Sequence, residues 1–231
     1  MATYPGGKGG SGVAQKIINQ MPPHDVYIEA FLGGGSVMDA KRPAVVNIGI
    51  DADIDVIEAR KGHTIIALCG DAVSLLPDLV SEYKKKYKSI LVYMDPPYLG
   101  STRASSRAIY KHEMTSEEDH SALLAIAKSL PCDVMISGYA SDLYDQELEG
   151  WRSLSYKAMT RGGFAATEYL WMNYPVPFEL HDYRYLGENF REREKLNRRK
   201  KRWVARLESM PALERYALYE AMSIVRYGEP S

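Results

Sequence analysis

The sequence predicts a doubly wound α/β fold: a mostly parallel sheet flanked by helices, closed by an antiparallel hairpin and followed by a basic helical extension. Three observations predict it. Strand-like and helix-like segments alternate four times by residue 98. Polar, ligand-type residues fall at the C-terminal ends of the strand-like segments, where open α/β sheets bind ligands. The run Ile90-Leu91-Val92-Tyr93-Met94 is apolar or aromatic throughout, as in a parallel strand covered on both faces.

Taken in order, residues 4–12 are glycine-rich but lack the Lys-Ser or Lys-Thr pair of a phosphate-binding Walker loop; a disordered terminus is the alternative. A short helix is expected over residues 13–19, ended by Pro22-Pro23. Residues 26–31 form a strand that runs into Leu32-Gly33-Gly34-Gly35-Ser36, a turn that lets backbone come close to a ligand. The next strand, residues 45–50, ends on Asp51, whose carboxylate suits a ribose hydroxyl pair or, alternatively, a helix N-terminus. A helix over 54–61, a strand over 64–68 with Asp71 beyond it, and a helix over 72–87 follow, with Pro77 as the point where the last would break early. The strand over 90–94 then delivers Asp95-Pro96-Pro97-Tyr98. Its prolines stiffen the turn and leave bare carbonyls, so a carboxylate, a carbonyl and a ring together form a receptor for a planar group bearing an NH2. The alternative is a tight turn with a surface tyrosine.

Beyond it, residues 99–112 are polar and basic, and Arg103, Arg107 and Lys111 are placed to clamp a nucleic-acid backbone. Thr115-Ser116-Glu117-Glu118 is a capping box for a helix with the stripe Leu123, Leu124, Ala127 and Leu130. A strand over 134–139 and a helix over 141–148 lead to a hairpin, residues 151–159 and 165–174, around Arg161-Gly162-Gly163. Residues 189–207 predict a helix with a narrow stripe at Leu196, Trp203 and Leu207. The last helix, 211–225, carries Leu213, Ala217, Ala221 and Ile224, a stripe expected in a core.

The totals narrow the classes. A chain of 231 residues, 45% hydrophobic and 26% charged, fits one domain with an appendage, here divided as 1–180 and 181–231. No run is apolar enough for a membrane span, the first residues carry no signal-peptide core, and Cys69 and Cys132 are isolated, so a cytoplasmic protein with reduced thiols is expected. The scattered histidines argue against a metal site. Between Arg184 and Arg206 ten Lys and Arg face three Glu, a local charge of +7 that leaves −8 on the remainder of a chain of net charge −1. A basic segment on an acidic body marks polyanion contact, with Arg198, Arg199, Lys200 and Lys201 at its centre; a solvated helix face is the alternative.

The ordered set Tyr4-Pro5-Gly6-Gly7-Lys8, Glu29-Ala30-Phe31-Leu32-Gly33-Gly34-Gly35, Asp51, Asp71 and Asp95-Pro96-Pro97-Tyr98 resembles the Dam-like, D12-class DNA adenine-N6 methyltransferases over roughly residues 4–175. The resemblance implies a Rossmann-like class I methyltransferase sheet, S-adenosylmethionine as cofactor and double-stranded DNA as partner. It implies that Tyr4 and Lys8 approach the cofactor, that Phe31, Gly33 and Gly35 line its methionine and ribose, that Asp51 holds the ribose and that Asp71 faces its adenine amine. Asp95, Pro96, Pro97 and Tyr98 would hold a flipped target adenine beside the cofactor, with Tyr174 on the other face of the base. Ala30 and Ala72 depart from the family pattern, in the glycine turn and the cofactor's adenine pocket. The short interval between Gly35 and Asp95 leaves no room for a target-recognition insert, so sequence reading falls to residues 100–114, to the basic extension or to both. Such compactness suits a stand-alone enzyme of phage or restriction-modification type, in a bacterial or phage-infected cell. Alternatives are the same chemistry on RNA adenine or cytosine N4, protein glutamine methylation, and a silent DNA-binding protein. Aspartate at position 95 weighs against the cytosine and glutamine readings.

Overall fold

β1 (Val26–Glu29) lies near the middle of a seven-stranded sheet in the computed structural model, which describes residues 8, 12–102, 111–159 and 165–227. The strand order is β3-β2-β1-β4-β5-β7-β6, with β2 (Val46–Asp51), β3 (Ile66–Cys69), β4 (Ile90–Met94) and β5 (Asp133–Gly138) parallel to β1. β6 (Arg152–Met159) and β7 (Ala165–Met172) form the antiparallel hairpin, and β7 inserts between β5 and β6. This is a Rossmann-like sheet, mostly parallel and closed by one antiparallel hairpin. The chain divides into two compact units, Met1–Tyr183 and Arg184–Ser231, and the sheet belongs to the first.

Every residue of β1 and β4 is buried, which explains why their sequences do not alternate. Ile28 pairs with Ile48 on one side and Val92 on the other, and the three are fully buried. Helices cover that face: α4 (Ala72–Lys84) presents Leu76 and Val80, and α5 (Glu117–Ser129) presents Leu123, Leu124 and Ala127, all in one core with Val92 and Val134. Each such leucine or valine side chain contributes about 1.5–3 kcal/mol on burial. That gain explains why Pro77 does not break α4: the helix runs through it, with fully buried Leu76 and Val80 anchoring the turns on either side. α1 (Val13–Ile18) buries Val13, Ala14, Ile17 and Ile18; α2 (Ser36–Ala40), α3 (Ile54–Glu58) and α6 (Asp142–Glu147) are short. The cap of α5 is Ser116, whose Oγ accepts from the Asp119 N–H at 3.1 Å, one residue later than a box built on Thr115 and Glu118.

The hairpin corrects one assignment. Because β7 is antiparallel to β5, Tyr169 pairs with Gly138 at the C-terminal edge of the parallel strands, while Met172 pairs with Met135 farther back. Tyr174 therefore lies at the opposite edge from Asp95. Its ring is buried, its hydroxyl donates to the Gln20 carbonyl at 3.1 Å, and the Arg152 guanidinium sits 5.8 Å from the ring centre. It does not take a face of a base held at Asp95.

Of the two cysteines, Cys69 closes β3 at the sheet edge and is exposed, whereas Cys132 precedes β5 half-buried, its thiol pushed up to about 12 by burial.

The second unit contains α7 (Phe190–Glu208) and α8 (Ala212–Tyr227). Asn189 caps α7, accepting from the Glu192 N–H at 3.0 Å. No described residue of either helix is buried. The stripe on α8 is thus not core: Leu213 is 86% and Ile224 38% exposed. Trp203 on α7 is likewise half exposed. Among the described residues no helix is long and apolar enough to cross a membrane.

Candidate functional site

Two neighbouring receptors are built at the C-terminal edge of the parallel strands. The first is a cleft enclosing about 950 Å³, its open mouth included, between the glycine turn after β1, the ends of β2 and β3, and residues 111–114. The turn is shaped by two glycines. Gly35 has φ of 62°, and a Cβ there would meet the Arg60 guanidinium at 2.0 Å, in the space from which Arg60 donates to the Gly34 carbonyl and pairs with Asp39 at 2.7 Å. Gly49 on β2 leaves room for Leu32, since a Cβ would lie 2.7 Å from its Cδ2. The turn folds down onto β2, with the Leu32 N–H donating to the Ile50 carbonyl at 2.8 Å. Asp51 then fastens the turn: its carboxylate accepts from the Gly33 N–H at 2.8 Å and the Asp53 N–H at 2.9 Å. Burial raises its pKa against those two donors.

Phe31, Gly33, Gly35, Asp51 and Asp71 all line this cleft. Asp71 also caps α4, accepting from the Val73 and Ser74 N–H groups at 3.3 and 3.1 Å. Lys111, expected on a nucleic-acid backbone, lines the cleft and pairs with Asp53 at 2.9 Å and Asp55 at 3.0 Å. Six carboxyl groups, of Glu29, Asp51, Asp53, Asp71, Asp95 and Glu113, line it together with the side chains of Lys8, Lys111 and His112. The cleft therefore suits a ligand bearing hydroxyls, amines and a positive centre.

The second receptor is Asp95 with its surroundings. The Ser137 hydroxyl donates to Asp95 Oδ1 at 2.7 Å, and Tyr93 Oη lies 2.9 Å from that hydroxyl. The Lys8 ammonium reaches the same Oδ1 at 3.1 Å, Glu168 Oε2 at 2.9 Å and Tyr98 Oη at 2.5 Å. Tyr156 Oη also donates to Glu168 Oε2, at 3.2 Å. Tyr98 and Tyr139 face each other with ring centres 4.5 Å apart, tilted by 57°. Burial raises the pKa of Asp95, with Lys8 opposing and Glu168 adding to the rise. Burial is also the largest influence on Lys8, pulling its pKa down, yet Asp95 and the surrounding tyrosines outweigh it and the ammonium stays charged.

Asp95 belongs to both receptors, so the two share a wall. Lys8, expected beside the cofactor, lines the cleft while its ammonium is held by Asp95, Tyr98 and Glu168. Tyr4, Arg103 and Arg107 lie outside the described residues. Arg198, Arg199, Lys200 and Lys201 are exposed on α7, and Arg198 pairs with Glu194 at 2.7 Å. Sequence reasoning missed Tyr139 and Glu168. A signal existed for the second: along β7, Glu168 shares its face with Leu170 and Met172, both fully buried, so the alternation places a charge inside. Among the described residues no group of three His, Cys, Asp or Glu could hold a metal ion.

One family model matches part of the chain. Residues 78–160 match the family model described as D12 class N6 adenine-specific DNA methyltransferase, a span that includes Asp95-Pro96-Pro97-Tyr98. A methyltransferase family indicates S-adenosylmethionine as cofactor, and the hydroxyl- and amine-accepting cleft beside Asp95 fits it. No curated protein matches the chain. Among solved structures, precorrin 8W decarboxylase from Methanobacterium thermoautotrophicum is 12% identical, covers 73% of this chain and 91% of its own, and has a TM-score of 0.44. The 23S rRNA methyltransferase ErmE is 12% identical over 72% of this chain and 69% of its own, with a TM-score of 0.41. A SAM-dependent methyltransferase from Agrobacterium tumefaciens is 12% identical over 69% and 58%, with a TM-score of 0.37.

Proposed function

We propose, from a chain whose residues 78–160 match the D12 class N6 adenine-specific DNA methyltransferases, that this protein methylates the N6 amine of adenine in duplex DNA, acting on a base turned out of the helix. One observation carries the proposal. Both protein donors to Asp95, Ser137 and Lys8, converge on Oδ1, and no described hydrogen bond uses Oδ2. That oxygen is an ionisable acceptor on the wall between the cleft and the Tyr98–Tyr139 pair.

S-adenosylmethionine supplies an electrophilic methyl group when bound. The protein's own residues act on the acceptor. An adenine amine is a poor nucleophile because its lone pair is delocalised into the ring. Asp95 Oδ2 takes one N–H and the Pro96 carbonyl the other, which favours a pyramidal nitrogen and opposes positive charge as its bond to carbon forms. Tyr98 and Tyr139 supply aromatic surface against which the turned-out base stacks, returning about 1–3 kcal/mol of the unstacking cost. Labelled methyl from S-adenosylmethionine, offered with unmethylated duplex DNA and matched RNA in parallel, tests the proposal. N6-methyladenine in DNA supports it; label in RNA alone moves the acceptor class, and label in neither overturns it.

Duplex DNA also needs a cationic surface, and α7 offers an ordered one. Arg191, Lys195, Arg198, Arg202 and Arg206 recur every three or four residues and are all exposed, so they form one row about 22 Å long at 1.5 Å per residue. Lys200 falls on the opposite face of the helix and Lys201 about 100° to one side of the row. Changing the five row residues to glutamine is expected to weaken DNA binding and to lower the slope of log affinity against log salt by up to about 0.9 for each phosphate no longer neutralised. Changing Lys200 and Lys201 should cost less. Equal losses from the two sets would remove the row from the interface.

A further inference from the structure

We infer that Glu168 is a positioning residue for the transfer site: by sharing the Lys8 ammonium with Asp95, it keeps the Asp95 carboxylate basic enough to take the proton given up by the methylated amine. The inference rests on the amine-methylation reading for the proton it handles, and on geometry for the rest. Lys8 Nζ lies between two carboxylates, 3.1 Å from Asp95 Oδ1 and 2.9 Å from Glu168 Oε2, and is 5% exposed. A buried ammonium with a single carboxylate partner neutralises that partner and weakens it as an acceptor. With two, the cluster of Lys8, Asp95 and Glu168 carries one net negative charge.

The reaction consumes that charge. As a carbon–nitrogen bond forms at the amine, the methyl carbon would part from the donor's sulfur, which would keep that bond's electron pair; one N–H bond must also break, and its proton moves to Asp95 Oδ2 while the N–H electron pair stays on nitrogen. The cluster then becomes neutral, with Lys8 still paired to Glu168. The second strand of the hairpin provides Glu168 and the first provides Tyr156, its cross-strand partner, whose hydroxyl donates to the same Oε2 at 3.2 Å. Tyr156 thus fixes the carboxylate from the outermost strand of the sheet. The elevated proton affinity of Asp95, from burial first and from Glu168 among the remaining influences, accords with an acceptor role. Other titratable groups facing Asp95 are Glu29 and the hydroxyls of Tyr27, Tyr93, Tyr98, Tyr139, Tyr144 and Tyr156. Those tyrosines all have raised pKa values and stay protonated through neutral pH.

The test is a carboxylate titration by carbon-13 NMR on the full chain without ligand, with the Asp95 resonance assigned through Asp95→Asn. Glu168→Gln is expected to move the Asp95 midpoint to lower pH, and Lys8→Met to move it higher. An unmoved or raised midpoint in Glu168→Gln overturns the inference. Should that variant not fold, Tyr156→Phe keeps the charge of Glu168 and removes one donor; the stronger draw on Lys8 then raises the Asp95 midpoint, and no movement overturns the inference. In turnover, Glu168→Gln should lower kcat about tenfold near neutral pH with KM little changed, and shift the acid limb of the profile to lower pH. A uniform loss at every pH means that Glu168 only supports the fold, and sinks the idea. The titration needs no substrate, so its failure is separate from a failure of the methyl-transfer assay.

Discussion

Asp95→Ala is expected to lower methyl transfer by about a hundred- to a thousandfold or more, the loss seen when a preorganised group aimed at developing charge is removed. Two effects combine. The amine loses its carboxylate acceptor, and Lys8 Nζ, now left with Glu168 at 2.9 Å and Tyr98, brings a positive charge to the place where positive charge develops. Duplex binding should fall little, because the cationic row is on α7. Transfer and gel-shift affinity measured on one preparation separate the two. Simultaneous loss of both would make Asp95 a structural residue. Removing one partner of a buried ion pair costs about 3–5 kcal/mol, so thermal melts belong with the assay, and Asp95→Asn is the variant that keeps the volume.

The second large effect is on stability. Glu29 on β1 is 3% exposed, and burial pushes its carboxyl up to about 8 from 4.5, against the hydrogen bond donated by Tyr27 Oη at 2.9 Å. Between those two values the folded protein holds the proton and the unfolded chain releases it. The contribution is therefore fully present below pH 4.5 and is lost as pH rises through 8. The loss is about 1.4 kcal/mol per pH unit across the window, a few kcal/mol in all. Glu29→Gln, which cannot ionise, should remove this slope and leave the protein more stable than its parent above pH 8. Urea melts between pH 5 and 9 read the difference directly. Parallel curves for the two proteins would mean that Glu29 is ionised in the fold.

The sheet was legible because its central strands announce themselves. Ile90 to Met94 reads as buried on both faces and is, and the polar residues at strand ends mark the edge where the cleft opens. Local pattern says less about what crosses the sheet. Tyr174 looked close to the site because it ends a strand, but an antiparallel strand ends at the other edge. Lys8 follows a glycine run in sequence, and nothing in that run shows that its ammonium is shared by Asp95 and Glu168, 87 and 160 residues away. The α8 stripe has the period of a core helix but lacks a layer to cover it. Periodicity specifies a face, and burial of that face depends on partners that the helix itself does not encode.

The contrast between the two thiols makes the protein a ready-made sensor of its own cleft. Cys69 is exposed at the end of β3, paired in register with Asp51 and two residues before Asp71, both of which line the cleft. Cys132 is half-buried and its thiol is held at about 12, so few of its molecules are thiolate at neutral pH. A maleimide fluorophore at neutral pH should attach to Cys69 in the natural sequence. Its emission would then report, without mutation, when a ligand settles between the glycine turn and the acidic strand ends.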